Sequence, residues 1–104
     1  MIKIDKFSAL YERMSHEQDI FRTWLLHQEP EEILKHTYEY TTREDILIAF
    51  SEMVLEERMV TALLKSPSPM QEIYKNFASK ETDYMDSIRE SIEETAKNNA
   101  NKIA

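Results

Sequence analysis

The sequence predicts an all-α protein, a compact bundle of about four to five helices ending in a long C-terminal helix. Three observations carry that expectation. Apolar residues recur at the i, i+3, i+4, i+7 spacing of a helical face along five separate stretches. No segment alternates apolar and polar residues with the period of two that a half-buried strand requires. The 104 residues include no glycine, so the tight turns with positive φ that join hairpin strands are missing as well.

The elements follow in order. Between Asp5 and about His27, Phe7, Leu10, Tyr11, Met14, Phe21, Trp24 and Leu25 share one face, and Asp5 is placed to cap the first turn. Pro30 suits a first helical position, and Glu31 and Glu32 beside it oppose the positive end of the helix dipole. A short second helix is expected to run to about Tyr40 with Ile33, Leu34, Thr37 and Tyr38 inward. Thr42 followed by Asp45 resembles a capping box and is expected to open a third helix carrying Ile46, Leu47, Phe50, Met53 and Val54. A break is placed near Met53 to Leu55, after which Met59, Val60, Leu63 and Leu64 continue an apolar stripe. In Ser66-Pro67-Ser68-Pro69, Ser68 as cap, Pro69 at the first position and Gln71 three residues after the serine form a helix start.

The last helix carries Met70, Ile73, Tyr74, Phe77, Tyr84, Ile88 and Ile92 on one stripe. Unbroken from Pro69 to about Lys97 it would be ~43 Å long, against a globule diameter of ~26 Å for this chain length. Part of it is therefore expected to project or to meet a second copy. Residues 1–97 read as a single helical domain and 98–104 as a frayed tail.

Composition narrows the function. Without glycine there is no phosphate-cradling loop and no dinucleotide-binding turn, and without cysteine there is no disulfide, thiolate nucleophile or thiolate-bound metal. The start is charged within three residues and the longest apolar run is Ile46 to Phe50, so a soluble, cytoplasmic protein is expected. Thirteen Lys plus Arg against 20 Asp plus Glu give a net charge of -7. That disfavours direct binding to nucleic acid or to an anionic membrane and favours a protein partner with a basic surface. His16, His27 and His36 lack the spacing that puts two metal ligands on one helical face, although Glu32 and His36, four apart, can meet. Neither a cofactor nor catalysis is expected.

The acidic residues are unevenly placed. Residues 29–65 hold nine acids against four bases. On the last helix Asp83, Asp86, Glu90 and Glu93 or Glu94 recur every three or four residues, roughly opposite Tyr84, Ile88 and Ile92, and all five are candidates for partner binding. Neighbours on this ribbon are about 5 to 6 Å apart, a spacing comparable with phosphates on a nucleic-acid strand, so the ribbon could occupy a basic groove. The plainer reading is a solvated helix face, partly neutralised by Arg89. Glu31, Glu32, Glu56 and Glu57 are candidates for a second acidic patch. Met85, Ile48 and Ile103 lie off the core stripes, and exposure of Ile48 or Met85 would mark a protein contact or self-association.

Leu63-Leu64-Lys65-Ser66-Pro67-Ser68-Pro69, preceded by the stretch Tyr38 to Leu47 and followed by Glu81-Thr82-Asp83-Tyr84-Met85-Asp86, resembles a small uncharacterised helical domain family of Gram-positive bacteria, their phages and mobile elements. The likeness runs from about Phe7 to Thr95. It implies no catalytic residues. The context it implies is that of small acidic proteins that inhibit host defence, including CRISPR effector nucleases, whose basic nucleic-acid channels an acidic helix could contact. The alternative is a structural or adaptor domain that acts by homodimerisation or by docking through the apolar stripe of the last helix.

Overall fold

The structure is a computed structural model that describes residues 5–80 and 83–103, without the side chain of Ile103. Five helices make it up: α1 Lys6–Leu26, α2 Pro30–Glu52, α3 Glu57–Leu64, α4 Pro69–Lys80 and α5 Asp83–Ile103. Among the described residues there is no strand and no positive φ, in keeping with a chain that has no glycine.

Asp5 caps α1 as expected, its carboxylate accepting the Phe7 N–H at 3.2 Å. The helix closes at His27, whose N–H donates to the Trp24 carbonyl at 3.1 Å, and Pro30 restarts the chain as α2. The expected division of α2 at Thr42 does not occur. One helix runs from Pro30 through Thr42 to Glu52. No glycine or proline interrupts this span, so the capping pattern at Thr42–Asp45 has no chain break to cap, and Thr42 is buried inside the helix, which packs along α1. The real break is at 53–56, where Met53 turns to extended backbone at φ -93, ψ 158, within the region expected from the sequence.

α3 is short, and its C-terminal end is tied down from α1: Arg13 donates to the carbonyls of Leu64 and Ser66. α4 starts at Pro69, with a cap shared between two helices. The Ser68 carbonyl accepts the Glu72 N–H, while the Met70 N–H donates 2.8 Å to the Glu17 carboxylate on α1. A carboxylate at the positive end of α4 supplies both the hydrogen bond and the charge that the helix terminus favours.

The core gathers Leu10 and Met14 from α1, Leu47 and Phe50 from α2, Val60 from α3 and Met70 from α4. The Phe7 and Phe50 rings stack with centroids 4.3 Å apart. Burying each such side chain contributes about 1.5–3 kcal/mol, which is what draws four amphipathic helices together. Several residues expected inward are not: Trp24, Leu34, Thr37 and Tyr38 are exposed, because α1 and α2 bury only the strips that face the other helices of the bundle.

None of the described side chains of α5 is buried. The radius of gyration is 19.2 Å and the principal extents are 74 × 36 × 22 Å, against about 13 Å expected for a globule of this length. α1 to α4 form the bundle and α5 extends from it, in line with the sequence expectation that part of the last helix projects. The stretch expected as one helix from Pro69 is described as α4 and α5, with Glu81 and Thr82 outside the described residues. α5 also continues beyond Lys97, so residues 98–103 are helical rather than frayed, while Ala104 lies outside the described residues.

Candidate functional site

α5 is 21 residues, about 31 Å long, and sorts its side chains by angle. With 3.6 residues per turn, Tyr84, Ile92, Thr95 and Asn99 fall within about 40° of the Ile88 direction. Asp83, Asp86, Glu90 and Glu93 lie within about 40° of the opposite direction, and Glu94 about 60° from it. The structure therefore brings all five candidate carboxylates onto one side of one helix, each exposed. Asp86 is paired with Arg89 at 3.0 Å, a pair open to solvent and worth little.

The opposite face is also open to solvent. Tyr84 is 53 % exposed, Ile88 36 % and Ile92 63 %, and they border a shallow strip that continues past Ser87, Ser91 and Ala96 to Asn99. The Tyr84 ring meets Tyr38 of α2 with centroids 6.0 Å apart, which ties the start of α5 to the bundle. Met85 and Ile48, off the core stripes, are half exposed.

The other four candidate acids do not form one patch. Glu31 and Glu32 occupy the first turn of α2, while Glu56 and Glu57 follow its end, so the length of α2, about 34 Å, separates them. They are also largely matched by local cations: Glu32 by Lys35 at 3.1 Å, Glu56 by Arg58 at 3.1 Å and Glu57 by Lys6 at 3.2 Å.

The histidines are dispersed. His16 is exposed, and His27 Nδ1 lies 2.7 Å from the Thr23 carbonyl. His36 sits between Glu32 and Glu39, 3.8 Å from each, so the expected meeting with Glu32 is present. Among the described residues no group of three or more His, Asp or Glu side chains is gathered as metal ligands would be.

Sequence reasoning missed Arg43. Its side chain is 6 % exposed, bonded to the Glu39 carboxylate at 2.8 Å and to the Gln71 side-chain oxygen on α4. The guanidinium lies 4.4 Å from the Phe21 ring centroid and 5.9 Å from that of Tyr74. Trp24 and His36 extend this aromatic group, their centroids 5.1 Å apart. The result is a shallow cleft between α1, α2 and α4, bordered by Ile20, Trp24 and Arg43. Because Glu39 takes up its charge, Arg43 serves here to join three helices. The available signal was the Glu39 to Arg43 spacing of four, which places an ion pair on one helical face.

No helix among the described residues is long and apolar enough to cross a membrane. No curated protein and no solved structure matches the chain. A family model, described as a protein of unknown function (DUF3848), matches residues 6–100, which covers the whole four-helix bundle and nearly all of α5. The chain belongs to that DUF3848 family.

Proposed function

We propose that the chain is a non-catalytic protein-binding module whose recognition element is α5, the acidic face of that helix docking on a basic surface of a partner protein. One observation carries the reading: a 21-residue helix that has no fully buried residue among its described side chains, and meets the bundle at its start through Tyr84, lines up Asp83, Asp86, Glu90, Glu93 and Glu94 along one exposed face. A helix needed only for stability would lay its apolar side on the bundle. The ribbon supplies steering and register more than raw affinity, and its repeat lets it take the place of phosphates in a basic channel.

In its finer form the partner is a nuclease of a host defence system in the cytoplasm, such as a CRISPR effector. The chain would block the channel without itself touching nucleic acid or membrane. The resemblance to proteins of phages and mobile elements and the net charge of -7 support this form.

The test uses the full chain and a Glu90→Lys, Glu93→Lys, Glu94→Lys variant as baits in an extract of a host that carries its defence systems. The native bait should retain a protein that the variant loses and that elutes as salt rises. Retention of the same protein by both baits, with the same salt dependence, rejects the ribbon, as does a native bait that retains nothing the variant lacks.

A further inference from the structure

We propose that two copies of this chain pair through the face of α5 opposite the acidic ribbon, as a parallel, in-register two-stranded coiled coil seamed by Met85, Ile88, Ile92, Thr95 and Asn99. These five follow one another at spacings of three, four, three and four, which is the alternation of a and d positions in a heptad. The three apolar members are 51 %, 36 % and 63 % exposed, so the chain leaves the seam only partly covered.

Surface area argues for an occupant. The accessible surface is 8321 Å², whereas a folded monomer of 12.4 kDa is expected to expose about 6,100 Å². The excess of roughly 2,200 Å² is well above the ~800 Å² that one partner gives to an interface of standard size. The described side chains of α5, none of them buried, are part of that exposed surface.

Charge placement selects a second copy over a charged partner at this face. With Met85 and Ile92 at a positions, Asp83, Asp86, Glu90, Glu93 and Glu94 all fall at the outer b, c and f positions. The e and g positions beside the seam hold Tyr84, Arg89, Ser91, Ala96 and Asn98. Two acidic chains can thus close on each other without bringing carboxylates together. A basic partner would find no matching charge along the rim of the seam.

The same register sets the orientation. Parallel strands place Asn99 against Asn99 of the second copy, where the amides satisfy each other, and a single buried Asn pair is a known register device. They also bring Tyr84 at g beside Arg89 at e of the other copy, within reach of a cation–π contact. The dimer would carry its two acidic ribbons outward. Because the seam and the ribbon are opposite faces, loss of one leaves the other measurable.

Sedimentation equilibrium of the full chain over a wide concentration range tests the pairing. The expected result is a dimer that dissociates at roughly micromolar to submillimolar concentrations, the range of small interfaces. Ile88→Asp should raise the dissociation constant ~10-fold or more while the thermal unfolding of the bundle stays in place. The chain has no native thiol, so Asn99→Cys provides a single reporter that should form an interchain disulfide on mild oxidation. A monomer at all concentrations overturns the proposal, and so does a dimer indifferent to Ile88→Asp. A dimer whose Asn99→Cys form does not cross-link overturns the parallel register.

Discussion

Replacing Arg43 by methionine should destabilise the bundle by about 3 kcal/mol. The Arg43 side chain is 6 % exposed, and its guanidinium holds Glu39 at 2.8 Å. Removing one member of a buried ion pair typically costs 3–5 kcal/mol, because the remaining charge is left uncompensated. Here Glu39 is 19 % exposed, so solvent relieves part of that cost. Loss of the cation–π contact with Phe21 adds about 1 kcal/mol, offset in turn by the apolar stem of methionine. Thermal unfolding followed by circular dichroism should show a midpoint lower by about 12–24 °C, at 4–8 °C per kcal/mol for a bundle of this size. Combining Arg43→Met with Glu39→Leu should recover most of the loss, since an apolar pair of similar volume replaces a buried ion pair at little cost. A single variant that loses less than about 1 kcal/mol, or a double variant as unstable as the single, would refute the role assigned to Arg43.

Other substitutions divide the molecule in the same way. Met14→Ala, at a fully buried site in the core, should cost about 2–5 kcal/mol in urea unfolding, whereas Ile20→Ser on the exposed side of α1 should stay within about 0.5 kcal/mol. Glu17→Gln keeps a side-chain oxygen for the Met70 N–H but removes the charge at the start of α4, so a loss of about 0.5–1 kcal/mol is expected, shrinking as salt is added. Ile92→Ser, studied well below the concentration of self-association, should leave the unfolding midpoint of the bundle unchanged within about 2 °C, since Ile92 is 63 % exposed and outside the core.

The helices were legible because their signals are local. Asp5, Pro30 and Pro69 mark three helix starts that the structure keeps, and the apolar spacing of Leu10, Met14, Leu47 and Phe50 names most of the core. Thr42 misled for the converse reason. A capping residue acts only where the chain leaves the helix, and no local signal distinguishes a cap from a buried threonine held in a continuous helix by its neighbours. The carboxylate at the start of α4 could not be read from adjacent residues, because Glu17 is 53 positions from Met70 and only the packing of α1 on α4 brings it there. For the candidate site, the periodicity of α5 gave both faces, since angle around a helix follows directly from sequence. The separation of Glu31 and Glu32 from Glu56 and Glu57 depended on the true length of α2, which the misplaced break at Thr42 had shortened.

Hydrogen exchange along the backbone of the full chain tests most directly whether α5 stands apart from the bundle with both faces available. In dilute protein the amides of α5 should exchange far faster than those of α1 and α2, because an isolated helix of this length is marginal in water, and protection should grow as concentration rises. Protection of α5 equal to that of α1 in dilute protein, unchanged by concentration, would show the helix folded onto the bundle and contradict the account.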